Sequence, residues 1–217
     1  MELYEAAKAL IEAGRWVAEK RMTWGSAGNI SIRLDETHFL ITGSGTRFDD
    51  LHEDSFSLYD MASGTWTGRK PSKELPVHLA AYRQCAWAGA VLHASPFYTT
   101  LAAASDLAVR NDLFVENMYY LQRMARVPYA HPGSAQLTES VAQVAARANV
   151  ILLENHGVLL YDTTIGECCS GLEVLENSCR MCLEAARADV SLTPVAPETV
   201  SDFLNHSGYK KPRVWPD

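Results

Sequence analysis

Two apolar runs, Val150-Ile151-Leu152-Leu153 and residues 158–161, are separated only by the polar tetrapeptide Glu154-Asn155-His156-Gly157. Side chains alternate between the two faces of a strand, so consecutive large apolar residues with no alternation predict strands inside a core. Residues 90–93, Ala-Val-Leu-His, predict a second buried strand. Around these strands, spacings of three and four predict helices over about 3–22, 72–85, 96–104, 137–148 and 164–188. Ser72 is expected to cap the second helix, and the fourth is expected to be capped near Thr138. Short strands at 30–34 and 38–42, then 55–59 and 65–67, give the first third of the chain antiparallel character, and 127–129 reads as a short extended piece. Helices mixed with mostly antiparallel strands predict a three-layer α/β/α sandwich around a mixed, largely antiparallel central sheet.

The chain's 217 residues suit a single domain over 1–217, with 189–217 as a C-terminal tail that holds four prolines and wraps a neighbour or is partly mobile. Lys and Arg number 19 against 26 Asp and Glu, a formal charge of −7, which offers no cationic field to nucleic acid or anionic lipid. The acidic start Met1-Glu2-Leu3-Tyr4-Glu5 and the absence of any apolar run near the ~20 residues of a spanning helix lead us to expect a cytoplasmic protein. Five cysteines, four of them in the predicted last helix, are read as reduced packing residues, with Cys179-x-x-Cys182 as a weak alternative for metal or redox chemistry.

Five polar islands interrupt the apolar framework at element ends: Gly28-Asn29, Thr42-Gly43-Ser44-Gly45, Ser72-Lys73-Glu74, His93-Ala94-Ser95 and Asn155-His156-Gly157. A rigid scaffold fixes groups there while leaving one side open to ligand. Gly-rich turns and helix starts expose backbone N–H groups, so Asn29, the Thr-Gly-Ser-Gly turn, Ser72 and Lys73 together could hold a phosphate or carboxylate, although each alone is also an ordinary turn or cap. Glu74, His78 and Tyr82 share a helix face, and Glu74 either complements the helix dipole or does acid–base work. His93 and His156 each follow a buried apolar run. Singly they are core histidines; as a pair at adjacent strand ends they suggest a divalent-metal site.

These islands resemble the class II aldolase family of L-fuculose-phosphate aldolase and L-ribulose-5-phosphate 4-epimerase, which also includes the adducin head domain. The resemblance spans Gly28 to about Leu183 and rests on Gly28-Asn29-Ile30-Ser31-Ile32-Arg33, Ile41-Thr42-Gly43-Ser44-Gly45, Pro71-Ser72-Lys73-Glu74 with His78 and Tyr82, Val91-Leu92-His93, and Leu153-Glu154-Asn155-His156-Gly157. It implies a homotetramer with active sites between subunits. It also implies a divalent metal, zinc before manganese or cobalt, held by His93, His156 and Glu74, and a phosphate pocket of Gly28, Asn29, Ser44, Gly45, Ser72 and Lys73. Glu74 matches the catalytic glutamate, and Tyr209 resembles a tyrosine from the C-terminal region that protonates the leaving group. The implied activity is an aldolase or decarboxylase acting on a small sugar phosphate or sugar acid through a metal-stabilised enediolate, with 4-epimerisation as the alternative.

The family's strand-end motif is His-x-His, and here Ser95 stands at the third imidazole's place. Glu74, His78 or water is then left to complete the metal sphere. A non-catalytic, adducin-like binding role is the other consequence of that loss. Lys73 occupies a position where the sugar-phosphate aldolases tend to carry Ser. The resulting Pro-Ser-Lys-Glu is similar to the branch that includes 3-oxo-tetronate 4-phosphate decarboxylases and fits a substrate with extra negative charge.

Overall fold

A computed structural model describes residues 1–215. Its strands are β1 (Asn29–Arg33), β2 (His38–Thr42), β3 (Phe56–Asp60), β4 (Trp66–Gly68), β5 (Ala90–Ala94), β6 (Met124–Val127), β7 (Val150–Leu153) and β8 (Gly157–Asp162). The helices are α1 (Leu3–Glu19), α2 (Leu75–Gln84), α3 (Phe97–Ala103), α4 (Val115–Tyr120), α5 (Ala135–Ala145), α6 (Ile165–Arg187) and α7 (Pro197–His206). One eight-stranded sheet runs β4-β3-β2-β1-β5-β8-β7-β6. Its pairings are antiparallel except β6 with β7.

The apolar runs explain the layering. Val91 and Leu159 face one side of the sheet and pack with Val77 of α2 and Val141 of α5. Their chain neighbours Leu92 and Leu160 face the other side and pack with Leu10 of α1 and Leu172 of α6. Both faces are therefore covered, and each fully buried Leu or Ile stabilises the fold by ~1.5–3 kcal/mol relative to exposure. The α/β/α expectation holds.

Local boundaries differ for identifiable reasons. The helix expected from Ser72 starts at Leu75, with Pro76 in its first turn and Glu74 at the N-cap position; residues 72–74 instead form a turn closed by Leu75 N–H on the Ser72 carbonyl (3.1 Å). In α5 the cap is Ser134, whose hydroxyl accepts from Leu137 N–H, rather than Thr138. Two further helices, α4 and α7, form where no helix was expected. The latter lies in the tail, which is tied back to the domain: the Arg213 guanidinium pairs with the Asp162 carboxylate at the end of β8, both side chains 1% exposed.

Antiparallel pairing brings one end of every central strand to the same edge. Asn29 lies opposite His93, Ala94 opposite Val158, and Leu153 opposite Gly157. The segment before α2 runs beside the end of β2, with Ser72 N–H on the Thr42 carbonyl (3.1 Å) and Ser44 N–H on the Lys70 carbonyl (2.7 Å). All five polar islands thus meet at one edge of the sheet.

Candidate metal centre and anion pocket

Two glycines make the approach of these segments possible. Gly28 has φ +95°, and a Cβ there would sit 2.7 Å from the His93 carbonyl oxygen. Gly157 has φ +152°, and its Cβ would lie 2.5 Å from the Ala94 carbonyl oxygen. Any other residue at either place would push the β1 and β8 ends away from β5.

Glu74 is 4% exposed, and its side chain caps nothing in its own helix. The dipole reading of this residue is therefore set aside: its carboxylate turns to the sheet edge. One oxygen, Oε2, lies 3.3 Å from His93 Nε2, and the other, Oε1, lies 3.3 Å from His156 Nε2. Potential ligand atoms of the three residues all fall within 4.8 Å of one another. With bonds of ~2 Å, one ion can reach all of them.

The hydrogen bonding favours a cation at this point. His93 Nδ1 lies 2.9 Å from the Val158 carbonyl oxygen, an acceptor, so that nitrogen carries the hydrogen. In the neutral ring Nε2 is then bare and faces a carboxylate oxygen, two lone pairs opposed in a buried site. Glu74 Oε1 is also buried without a hydrogen-bond partner. A divalent ion would satisfy the facing lone pairs together. Two neutral nitrogens and a carboxylate form a mixed N/O set that suits zinc as well as manganese, iron or cobalt.

Burial raises the Glu74 carboxyl, but His93, His156, the Asn29 amide and His78 outweigh it and hold the group below its usual value. Burial, then the neighbouring His93, pushes His156 down to about 4. Both groups sit in their metal-ligating protonation states at neutral pH.

A cavity of about 550 Å³ opens in front of this cluster. Gly28, Asn29, Ser44, Gly45, Ser72 and Lys73 all line it. Ser95 lines it too, yet its hydroxyl donates to the His156 carbonyl (3.2 Å), tying two ligand-bearing segments together. His78 does not face the cluster: its Nε2 is 2.6 Å from Asn29 Oδ1 and its Nδ1 2.7 Å from Ser31 Oγ, so both ring nitrogens are engaged and it is unavailable to an ion. Tyr209 is absent from this chain's own pocket and packs on Tyr119 and Phe203, with centroids 5.8 and 5.4 Å away. Trp24 and Pro132 also line the cavity, and no feature of their spacing singles them out.

Residues 8–183 match the family described as Class II Aldolase and Adducin N-terminal domain. The chain belongs to this family. A 3-oxo-tetronate 4-phosphate decarboxylase of Haemophilus influenzae is 31% identical over 176 residues, covering 79% of this chain and 84% of that protein. An L-fuculose phosphate aldolase of Methanococcus maripaludis is 32% identical over 159 residues, covering 73% of this chain and 85% of the relative. The crystal structure of YgbL from Klebsiella pneumoniae superposes with a TM-score of 0.85 at 24% identity, covering 94% of this chain and 99% of that one. At that identity the superposition establishes the class II aldolase fold. The four cysteines of α6 are all buried, and burial raises the thiols of Cys168, Cys169 and Cys179, as suits packing residues rather than reactive ones.

Proposed function

We propose that this class II aldolase-family chain is a divalent-metal-dependent carbon–carbon lyase, and that its substrate is a small phosphorylated sugar acid that it decarboxylates. The observation that carries the reading is the meeting of Glu74, His93 and His156 in a cavity also lined by Lys73 and Ser72. A phosphorylated 3-oxo acid carries two anionic groups. Ser44, Gly45, Ser72 and Asn29 suit the phosphate, and the Lys73 ammonium, close enough to help depress His156, suits a second negative charge. The relatives named as 3-oxo-tetronate 4-phosphate decarboxylases support the same substrate class.

A bound divalent ion supplies Lewis-acid stabilisation of the oxyanion that forms beside the breaking bond. The chain's own residues do the rest. His93 and His156 hold their Nε2 atoms toward the pocket, and the ionised carboxylate of Glu74 takes up a proton from solvent and passes it to the carbon that carbon dioxide leaves. When carbon dioxide leaves, the bonding pair stays on the adjacent carbon, and that carbon takes up one proton. Zinc is the ion of choice, with manganese and cobalt as substitutes. The active assembly is a cytoplasmic homotetramer, in which Tyr209 acts in a neighbouring subunit's pocket. Its 38% exposure, and a lining of this chain's pocket that does not include it, support that placement.

The test is carbon dioxide release from 3-oxo-tetronate 4-phosphate by metal-reconstituted protein, alongside aldehyde release from L-fuculose 1-phosphate. Release from the first substrate alone is the expected outcome. Release from the second alone makes the chain an aldolase. If neither reacts and neither raises the melting temperature, the adducin-like binding role suggested by Ser95 stands instead.

A further inference from the structure

Behind the pocket runs a line of four hydrogen bonds among buried side chains. Tyr82 Oη lies 2.8 Å from Ser31 Oγ, Ser31 Oγ lies 2.7 Å from His78 Nδ1, His78 Nε2 lies 2.6 Å from Asn29 Oδ1, and Asn29 Nδ2 lies 2.8 Å from Glu74 Oε2. The pattern is written in the sequence. Asn29 and Ser31 are two apart on β1 and share a face; His78 and Tyr82 are four apart on α2 and share another. None of the four is more than 5% exposed, so water cannot substitute for a missing partner.

With an ionised Glu74 at one end and a hydroxyl on His78 Nδ1 at the other, the chemistry allows one direction only. An ionised Glu74 accepts and cannot donate, so the Asn29 amide must turn its NH2 toward it. The Asn29 oxygen then faces His78, which must donate from Nε2. Burial pushes His78 down to about 3, so the ring is neutral, and its single hydrogen is already placed. Nδ1 is therefore an acceptor, which the Ser31 hydroxyl fills, and the Ser31 oxygen in turn accepts from Tyr82. Reversing the amide would set two acceptor oxygens 2.8 Å apart at Glu74.

We infer that His78, Ser31 and Tyr82 are positioning residues that lock the Asn29 amide so that it presents only hydrogen-bond donors to the pocket, selecting a ligand's anionic or carbonyl oxygen at that point. One amide hydrogen goes to Glu74 and the second is left for the ligand. The ligand half of this inference rests on the proposed anion pocket; the lock itself does not.

The test pairs Ser31→Ala, which removes the hydroxyl that pins His78, with Ser31→Thr, which keeps it. Nitrogen-15 spectra of histidine-labelled full-length protein report the tautomer of His78, and inorganic phosphate is the titrated probe. The expected results are the Nε2–H form in the wild type and in Ser31→Thr, with phosphate affinity equal within twofold. Ser31→Ala should show a mixture of tautomers and roughly tenfold weaker phosphate binding, the size of one lost charge-assisted hydrogen bond. A purely structural Ser31 would shift thermal stability without moving the tautomer. A wild-type His78 in the Nδ1–H form, or a tautomer unchanged in Ser31→Ala, overturns the lock. If the tautomers behave as expected but phosphate affinity does not change on Ser31→Ala, the ligand-selecting half is overturned. If the wild type binds no phosphate, the anion pocket falls while the tautomer still decides the lock.

Discussion

The imidazoles of His93 and His156 lie with ring centroids 4.7 Å apart and planes 67° to each other, and each turns its Nε2 to a different oxygen of Glu74. One carboxylate thus spans two histidines that are 63 positions apart in the chain (156 − 93). On the proposed function, metal affinity and catalysis are tied to the same three side chains.

Glu74→Gln keeps the side chain's volume and an oxygen for Asn29 but removes the charge and the proton acceptor. Turnover should fall by at least about 10³-fold, the scale of a general acid–base contribution together with the weakened metal site. Circular dichroism should show an unchanged fold. Activity within tenfold of wild type would remove Glu74 from the chemistry.

The protein should bind about one divalent ion per chain, and His156→Ala should abolish binding. Ser95→His should tighten zinc by roughly 10–100-fold, because position 95 lines the same pocket and a third nitrogen would join the ligand set. Competition with a chromogenic chelator measures both. Unchanged affinity in Ser95→His would show that the side chain at this position points away from the ion.

Lys73→Met should raise KM for a phosphorylated 3-oxo acid about tenfold, through loss of one charge-assisted contact. The effect on L-fuculose 1-phosphate binding, which involves one anionic group rather than two, should be smaller. Equal losses on both would assign Lys73 to the phosphate instead.

In metal-free protein, stability should fall with acid earlier than carboxylate titration alone requires. Burial holds His78 near 3 and His156 near 4, whereas the unfolded chain takes up protons on these rings from about pH 6.5 downward. The unfolded state therefore binds more protons between those limits. The stability that is complete above pH 6.5 is lost progressively as pH drops through that window. The His78→Gln variant should flatten the decline between pH 6.5 and 4.5 in urea-denaturation midpoints. An equal slope in the variant would contradict this.

Arg213→Ala should destabilise the protein by ~3–5 kcal/mol, because it leaves the Asp162 carboxylate buried without its partner. Arg213→Met combined with Asp162→Asn should recover most of that loss. Denaturant unfolding of the two variants makes the comparison.

The layers of the fold were legible because Val150-Ile151-Leu152-Leu153 and its partner run have no polar face to leave in water. The site was legible because glycines and polar residues fall where those runs end. What escaped was local. Ser72 looks like a helix cap, but Pro76 and the pairing of the preceding segment with β2 delay the helix by a turn. The helix Pro197–His206 carries only Val200, Phe203 and Leu204 at helical spacing, one short stripe in a proline-bearing tail. Tyr209 could be named from resemblance, but it packs on Tyr119 and Phe203 and is not among the residues lining this chain's cavity. The engagement of both His78 nitrogens could not be read from spacing, since it requires knowing that Ser31 and Asn29 lie across from it.

Glu74, His93 and His156 come from the start of a helix, the end of a strand and a turn between two others, and an unfolded chain has no means of gathering them. An ion that binds only the gathered form adds RT ln(1 + [M]/Kd) to the folding free energy, about 2.7 kcal/mol at a hundredfold excess over Kd. With the site used as proposed, the folding free energy follows the supply of metal, and scarcity is registered by the scaffold as well as by the reaction.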